Sequence, residues 1–480
     1  MIMPNTTKIL AIGGLVLALG ACETDKGGSN NPGAGGAGAK SEKASAEARK
    51  DFDKAVAVYN KANADGTISS DECGRVATAF SKVYRENKKS MRIAQFNAAV
   101  VYERCGKNDE AKKIYEELAG QKYHLALNNL GVMYWRQGNS KKALELFDKS
   151  VKADAVQAFA ARNNLAAAHR DRYSEKAKME DFKIAEKQIQ NVLAVDTSNR
   201  AAYENLARLY YDRGRIKDKS YLVLSNLVVT QALRVLKEQG DESADIYNLR
   251  GLLLMQDNNQ VDALKAFKHA VTVDKKNVDA HLNIAFISIR FRDYTTAETS
   301  LKIALKDKTV KSNIEPVIAM GVTMRGLKKF KEAEKYYNQA AKLRGGDPRP
   351  WYNLGILNQE HLIGQDGVDK VQIEGYYNTA KKHFGKAVSL AATNKDYEHV
   401  VKDSKDRIII IDDTIATFRV MEDLEKKAAE IAAAEAAANK KERERLLALE
   451  KKATAAEAAA SAAPAPKTEP AKTGAPKKKG

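Results

Sequence analysis

Small and large apolar residues form a pattern that recurs along most of the chain. Each repeat opens on a small residue, and the eight small residues are Ala99, Gly131, Ala166, Ala207, Gly251, Ala285, Gly321 and Gly355. In five repeats an alanine follows twelve positions later and a large apolar residue four positions after it, as Ala263 and Phe267 follow Gly251. Small residues let two helices approach, and large ones fill the space between neighbouring pairs. The pattern therefore predicts stacked helical hairpins.

The distribution of proline also predicts helix. No proline lies between positions 33 and 315, whereas an all-β fold needs turn residues every ~8–12 positions. We therefore predict an all-α fold in which residues 91–396 form a solenoid of about eight hairpins. An N-terminal helical extension over residues 44–90 should contain helices at 44–62 and 70–87. Extra residues in the repeats of Ala166, Ala207 and Gly355 are expected between the two helices of each hairpin.

This series of repeats resembles the tetratricopeptide repeat (TPR), whose pattern is W-x2-L-G-x2-Y…A-x3-F-x2-A, and two copies match it best. The matching residues are Leu127, Leu130, Gly131, Tyr134, Ala143 and Phe147 in one repeat, and Trp351, Leu354, Gly355, Ala380, Phe384 and Ala387 in the other. The resemblance implies a TPR superhelical solenoid in which a helix A and a helix B form each repeat. It also implies a protein–protein interaction scaffold whose concave face is built mainly by the A helices.

Positions on that face form the predicted partner groove. Its members are Trp135, Tyr211, Leu252, Met255, Leu282, Phe286, Ile289, Ile318, Val322, Tyr352 and Ile356. The second half of the face is apolar and suits an amphipathic helix or apolar peptide. The first half is mixed, with Asn163, Arg170, Glu204 and Arg208 among its residues.

Residues 397–424 carry apolar residues at spacings of three or four, which predicts an amphipathic helix. These are Ile408, Ile411, Ile415, Phe418, Met421 and Leu424. The helix either caps the solenoid or lies in the groove and occludes part of it. Residues 425–460 are rich in Ala, Glu and Lys, which is typical of a solvated single helix or weak coiled coil. Residues 461–480 are predicted to be a disordered basic tail.

The N-terminus is predicted to be a lipoprotein signal peptide, residues 1–21. The apolar run from Ile9 to Leu19 is too short to span a bilayer, and Leu19-Gly20-Ala21-Cys22 resembles the bacterial lipobox. That resemblance implies acyl chains, such as palmitate, on Cys22, although an ordinary signal peptide cut near Ala21 is the alternative. In lipoproteins of Gram-negative bacteria an aspartate directly after the lipidated cysteine tends to retain the protein in the inner membrane. Here that residue is Glu23, so we expect the outer membrane, with the protein facing the periplasm. Residues 22–43 would be a flexible tether.

Cys73 and Cys105 would lie opposite each other in an antiparallel hairpin that turns near position 89. An oxidising periplasm then favours a disulfide, and two buried free thiols are the alternative. Residues 61–72 imitate an EF-hand loop, but Lys61 stands where the first carboxylate ligand of calcium belongs. A plain helix-turn-helix is therefore the better interpretation.

The sequence contains none of the common catalytic or metal-binding spacings. Its histidines are scattered at repeat positions, which indicates packing or surface roles. We therefore predict a protein without enzymatic activity, cofactor, metal or small-molecule substrate. The formal net charge of +18 lies mostly on residues 51–420. Nucleic acid is an unexpected partner for an exported protein. The candidate anionic partners are therefore anionic lipids, lipopolysaccharide, peptidoglycan and acidic proteins. The alternative is a solvated basic surface with no specific anionic partner.

The overall layout of the chain is similar to that of the TPR lipoproteins of the adventurous gliding motility machinery of myxobacteria, and so are stretches such as residues 128–154. The resemblance implies a non-catalytic adaptor in a periplasmic trans-envelope complex, which links an inner-membrane motor to outer-membrane adhesion sites. Two alternatives are an outer-membrane assembly or pilotin-type lipoprotein, and a factor that positions peptidoglycan enzymes.

Overall fold

The computed structural model describes residues 45–461, and regular structure in this range is entirely helical. The predicted signal peptide, Cys22, the tether and residues 462–480 of the predicted tail lie outside the described residues. Two compact units divide the chain between Leu343 and Arg344. Among the described helices, none combines the length and the apolar composition needed to cross a bilayer.

The N-terminal unit consists of consecutive helices joined by short turns. They are α1 (Ala46–Ala62), α2 (Ser70–Glu86), α3 (Arg92–Arg104), α4 (Asn108–Gly120), α5 (His124–Arg136), α6 (Ser140–Ala153), α7 (Phe159–Lys176), α8 (Met179–Leu193), α9 (Arg200–Ile216), α10 (Ser220–Glu238), α11 (Ala244–Gln256), α12 (Gln260–Val273), α13 (Val278–Arg290), α14 (Tyr294–Ala304), α15 (Lys308–Lys311), α16 (Ile314–Gly326) and α17 (Phe330–Leu343). The A/B pairs run from α3/α4 to α13/α14 and end with α16/α17. The predicted helical-hairpin fold is confirmed.

The small residue of each helix A allows the close approach that the pattern predicted. A Cβ atom added to Gly131 would lie 2.6 Å from the Phe147 ring, and one added to Gly251 would lie 2.5 Å from the Phe267 ring. Neither distance is compatible with an ordinary van der Waals contact, so a side chain at these glycines would force the aromatic ring of helix B to move.

In five repeats, one residue of the turn between helix A and helix B adopts the left-handed backbone conformation. This residue lies seven positions after the small residue of helix A. Glycine occupies this place in two turns, at Gly106 and Gly138, whereas Asn258, Arg292 and Lys328 adopt positive φ angles of 57°, 60° and 59° in three others. A Cβ atom makes this conformation costly for residues other than glycine.

The repeats of Ala166 and Ala207 contain extra residues, which the sequence predicted to form an insertion between helix A and helix B. In the structure these residues instead lengthen the helices on both sides of the A–B turn. Helices α7, α9 and α10 have 18, 17 and 19 residues, against 13 in α5 and α11. Their added turns carry a cluster of aromatic rings that contact one another at centroid distances of 5.4–6.3 Å: Tyr173, Phe182, Tyr210 and Tyr221. Burial of these rings explains why the insertions are helical.

Helices α1 and α2 form the predicted N-terminal extension, and the structure joins Cys73 of α2 to Cys105 at the end of α3. Their Cα atoms are 6.3 Å apart. In the turn before α2, Asp65 Oδ1 accepts hydrogen bonds from the Thr67 amide and hydroxyl, at 2.9 and 3.0 Å. This carboxylate therefore closes a helix-turn-helix connection.

The C-terminal unit contains the eighth repeat and a long final helix. Its elements are α18 (Arg349–Ile356), a π-helical turn (Leu357–Leu362), α19 (Lys370–Ala391), a 3₁₀ turn (Lys395–Tyr397) and α20 (Glu398–Ser461). The sequence predicted separate segments at 397–424 and 425–460, but α20 is one continuous helix of 64 residues. Ile411 and Ile415 are buried near the start of α20, while every described side chain after residue 418 is exposed.

Candidate partner-binding face

The A helices of the N-terminal unit carry nine of the predicted groove residues. Tyr211, Leu252 and Leu282 are buried, and Tyr211 and Leu252 belong to one core cluster with Leu249 and Ile284. These positions face neighbouring A helices, since α9 packs on α11 and α11 on α13. The placement of these three residues on an accessible surface is therefore corrected: they are core residues, which the periodicity of a single helix does not reveal.

Six of the nine groove residues in this unit are half-buried and remain accessible: Trp135, Met255, Phe286, Ile289, Ile318 and Val322. We call this set the helix-A strip. Five of its members lie on α11, α13 and α16, and they combine a flexible thioether with aromatic and branched side chains. Such a strip can contact the apolar side of a partner segment and adjust to its shape.

The C-terminal unit carries the last two groove residues, and both are covered by α20. Tyr352 donates a hydrogen bond to Asp403 Oδ2 at 2.7 Å, and Ile356 packs in one cluster with Ile411 and Ile415. Ile356 is therefore buried, which corrects its assignment to an open groove. Within this unit α20 occludes the predicted groove positions.

A charged contact fixes that docking. Arg407 of α20 donates to Glu360 Oε1 at 2.6 Å and to Gln359 Oε1 at 2.7 Å, both in the π-helical turn, and it lies 2.6 Å from Asp403 of its own helix. Burial raises the pKa of Asp403, but hydrogen bonds from Tyr352 and Arg407 outweigh it and hold the pKa below its usual range.

Buried asparagines link successive A helices. Asn164 Nδ2 of α7 donates to Asn128 Oδ1 of α5 at 2.8 Å, and Asn283 Nδ2 of α13 donates to Asn248 Oδ1 of α11 at 2.8 Å. Each residue stands two or three positions before the small residue of its helix. In α5 and α7 the sequence shows a pair of asparagines before Leu-Gly or Leu-Ala, whereas Asn248 and Asn283 stand singly in their helices. These amide bridges set the register between A helices.

A charged cluster lies on the same face between α7 and α9. Arg170 Nη2 is 2.7 Å from Asp171 Oδ1, and Arg170 Nη1 donates to Asn205 Oδ1 at 2.8 Å. Arg208 Nε is 3.4 Å from Asp212 Oδ1. Burial lowers the pKa of Arg208, but the charges of Asp212 and Asp279 outweigh this effect and raise it. We call Arg170, Asp171, Arg208 and Asp212 the α7–α9 charge cluster.

The described histidines mostly connect neighbouring elements. His169 Nδ1 of α7 lies 2.7 Å from Asp181 Oδ1 of α8, and His281 Nε2 lies 3.0 Å from the Lys275 carbonyl. His383 packs against Trp351 with ring centroids 5.7 Å apart. Within residues 45–461, no group of three or more histidine, cysteine, aspartate or glutamate side chains is placed to hold a metal ion.

Residues 96–158 and 174–218 match the family of tetratricopeptide repeats. These segments cover most of α3, all of α4 to α6, and all of α8 and α9, so the matched residues form successive helices in the structure. These two segments are therefore similar to tetratricopeptide repeats, which generally act as protein–protein interaction scaffolds.

Solved structures provide more distant likenesses. PilF from Pseudomonas aeruginosa is 17% identical over 47% of this chain and 94% of its own, with a TM-score of 0.37. A tetratricopeptide repeat protein from Parabacteroides merdae is 16% identical over 59% and 99%, with a TM-score of 0.34. The Cut9–Hcn1 hetero-tetramer of APC/C is 12% identical over 75% and 76%, with a TM-score of 0.39. No curated protein matches the chain significantly.

Proposed function

We propose that this tetratricopeptide-repeat protein is a non-enzymatic adaptor, anchored by lipid to the periplasmic face of the outer membrane, which binds partner proteins through its A helices. In its most specific form, the proposal places the protein in a trans-envelope complex such as the gliding motility machinery.

The observation that carries the adaptor role is the helix-A strip. Five of its six residues lie on three consecutive A helices, α11, α13 and α16, and the side chains of the strip are neither fully buried nor fully exposed. Consecutive A helices present side chains at a regular spacing, so a partner segment lying across them meets an apolar residue at each helix.

The proposed anchor depends on the sequence around Cys22. Two or three acyl chains at ~0.8 kcal/mol per buried methylene hold a protein on a bilayer. Lipid attachment would leave the repeats in the periplasm, where Cys73 and Cys105 can be oxidised. The disulfide between Cys73 and Cys105 therefore supports the proposed periplasmic location.

The test is site-specific cross-linking in the cells that make the protein. A photoreactive amino acid at Phe286 or Ile289 should capture the same envelope partners, because both positions belong to the helix-A strip. The matched control is Val261 on α12, a helix B, which is 63% exposed. Capture at all three positions alike, or at none, would contradict binding by the A helices.

The identity of captured proteins separates the specific roles. Motor and adhesion-complex proteins would support the gliding adaptor. Recovery of β-barrels or secretins alone, or of wall synthases and hydrolases alone, would replace it by the assembly or wall-enzyme role. A Cys22→Ser variant should lose incorporation of labelled palmitate and leave the outer-membrane fraction; unchanged fractionation would contradict the anchor.

A further inference from the structure

We propose that the exposed face of α10 docks on an anionic lipid bilayer, with aliphatic side chains among the headgroups and basic residues on their phosphates. The inference goes beyond the adaptor role and does not rest on it, because α10 is a helix B and lies outside the helix-A strip. The contact is peripheral, since the opposite side of α10 is buried in the repeat array at Ser225, Val229 and Ala232.

Three aliphatic side chains are exposed together on α10. Val223, Leu224 and Leu227 are 63%, 39% and 60% exposed, and spacings of three and four positions place them on one side of the helix. We call them the α10 patch. Residues 220–233 around the patch contain no charged side chain, whereas the exposed faces of α6, α8, α12 and α17 each carry several. Exposed apolar residues that lie together in this way mark an interaction surface.

Basic residues lie at both ends of the α10 patch. Lys219 stands four positions before Val223, and Arg234 stands seven positions after Leu227, so both lie on the same side of the helix as the patch. Both are exposed, as is Lys217 in the turn that leads into α10. This charge favours a partner with negative groups at its surface and apolar material beneath them. A bilayer with anionic headgroups has that arrangement.

The turn between α7 and α8 extends the basic surface. Arg213 connects it to the start of α10, because its guanidinium carbon lies 4.3 Å from the centroid of the Tyr221 ring and its Nη1 atom lies 2.6 Å from the sulfur of Met179. Met179 is 41% exposed and adds an apolar side chain. Residues 172–180 and 213–219 contain seven basic and three acidic residues. The two turns therefore carry a net positive charge beside the α10 patch.

Packing against α9 fixes α10 with its patch outward. A Cβ atom added to Gly214 of α9 would lie 2.7 Å from the Leu222 side chain, so the two helices approach closely at this end. Further along, the Ser225 hydroxyl donates a hydrogen bond to the Ala207 carbonyl at 2.8 Å. The helix is thus formed before it meets a bilayer, and docking does not carry the entropic cost of ordering it.

A second copy of the chain is a less favoured occupant of the α10 patch. In a two-fold contact, two α10 helices run either parallel or antiparallel, and Lys219 then faces Lys219 or Arg234 of the other copy. Like charges meet in both arrangements. A stable protein–protein interface also buries ~800 Å² on each partner, which is more than three partly exposed aliphatic side chains supply. A bilayer avoids both problems.

The experiment measures cosedimentation of the protein with lipid vesicles. The protein comprises residues 22–480 with Cys22→Ser, so that neither an acyl chain nor the predicted signal peptide contributes to binding. One set of vesicles is phosphatidylcholine alone, and the other contains about 30% phosphatidylglycerol. Partitioning into the anionic vesicles should be at least about tenfold stronger at about 0.1 M salt, and should weaken at about 0.5 M salt.

Variants of the α10 patch test the apolar part of the contact. Val223→Ser/Leu227→Ser should lower the partition coefficient for anionic vesicles at least about tenfold, because two aliphatic side chains no longer insert. The matched control is Val261→Ser on α12, whose valine is also 63% exposed and which should leave the coefficient unchanged. Circular dichroism checks that each variant keeps its helix content.

Variants of the neighbouring lysines test the charged part. Lys217→Gln/Lys219→Gln should lower the partition coefficient at least about fivefold, because each lysine near an anionic surface contributes to binding. Lys265→Gln/Lys268→Gln removes the same charge from two exposed positions of α12 and should have little effect. Loss of binding in both double variants alike would indicate attraction by net charge alone and would contradict docking by α10.

A fluorescent label reports insertion directly. Leu224→Cys, labelled with nitrobenzoxadiazole, should show emission at shorter wavelength when anionic vesicles are added, because the dye leaves water for the headgroup region. Quenchers carried by the lipid should then reduce its emission. The same label at Val261→Cys should show neither change.

Several results would overturn the inference: equal binding to the two kinds of vesicle, unchanged binding of the Val223→Ser/Leu227→Ser variant, or a label at position 224 that stays in water. Self-association of the wild-type protein that this variant loses would assign the α10 patch to a second copy instead. Failure here is distinct from failure of the adaptor role. Capture of partners at Phe286 does not involve α10, so each proposal can be rejected while the other stands.

Discussion

Glycine and its aromatic neighbour determine how closely the two helices of a repeat approach. All four repeats that open on glycine carry an aromatic residue at the matching place on helix B: Phe147, Phe267, Tyr337 and Phe384. Three of the four repeats that open on alanine carry Ile189, Leu236 or Leu301 instead, and Tyr115 is the exception. The methyl group of alanine and the smaller aliphatic side chain occupy a volume similar to that of hydrogen and an aromatic ring.

The exchange of these pairs is a direct test. Gly251→Ala should lower the free energy of unfolding by ~1–3 kcal/mol, because the new Cβ atom overlaps Phe267. The double variant Gly251→Ala/Phe267→Leu should show favourable coupling in a double-mutant cycle measured by chemical denaturation. As a control, Gly74→Ala in α2 adds a methyl group into open space and should raise stability by ~0.5–1 kcal/mol. Additivity of the two changes would contradict the pairing.

The turn residues offer a second test at this scale. Lys328→Gly should raise the free energy of unfolding by up to ~1 kcal/mol, because lysine at φ 59° bears a Cβ penalty that glycine lacks. Gly138→Ala, at φ 81°, is the converse change and should lower stability by ~1 kcal/mol. Thermal unfolding of both variants checks the signs, and a loss of stability in Lys328→Gly would contradict the argument.

Residue roles were predictable from the sequence where a single hairpin decides them. The small residues and their large partners were visible as a spacing, because both lie within one repeat. The left-handed position was not visible, since Asn258, Arg292 and Lys328 have no residue type in common. Burial of Leu252 and Leu282 was not visible either, because it depends on the packing of one A helix against the next.

At the scale of elements, the docked part of α20 depends on a carboxylate. The pKa of Asp403 is held low by Tyr352 and Arg407, and the charge of His399 also acts on it. A depressed pKa means that the stabilisation is complete above the unfolded value, about 4, and is lost as the pH falls through the folded value.

Acid should therefore weaken the docking of α20. Between pH 6 and pH 3, thermal unfolding of wild-type protein should show a steeper loss of stability than that of the Asp403→Asn variant, which should already be less stable at pH 6. Asp423→Asn on the exposed part of α20 is the control and should follow wild type. Parallel pH profiles of wild type and Asp403→Asn would contradict this role of Asp403.

Helix boundaries were predicted closely where composition changes abruptly. The extension was expected at 44–62 and 70–87 and is found at Ala46–Ala62 and Ser70–Glu86. The division of α20 was wrong because a change from a docked to a solvated face alters composition without interrupting the helix. Sequence patterns report the surroundings of a helix as well as its presence.

For the whole molecule, stability of a repeat array is a sum over neighbours, so its ends open first. The disulfide between Cys73 and Cys105 ties α2 to α3 near the start of the described array. The disulfide reduces the conformational entropy of the unfolded chain at the end of the array where unfolding would begin.

Loss of this bond should therefore have a local effect. Cys73→Ala/Cys105→Ala should lower stability by ~2–4 kcal/mol and reduce hydrogen-exchange protection in α1 to α3, while α11 to α13 keep theirs. Dithiothreitol should reproduce the effect in wild type and do nothing further to the double variant. Uniform loss of protection along the N-terminal unit would show that the array unfolds as one block.

The continuous course of α20 makes the helix a strut. At ~1.5 Å per residue its 64 residues extend for ~96 Å, and the solvated portion accounts for more than half of that length. The number of residues in the exposed part of α20 would set the distance between its docked part and any protein bound at its C-terminal end. Removal of two residues would turn the far end by about 200° and shorten the strut by only ~3 Å, whereas removal of about five whole turns would shorten it by ~27 Å and preserve its facing. Reach and orientation can thus be varied separately in this protein.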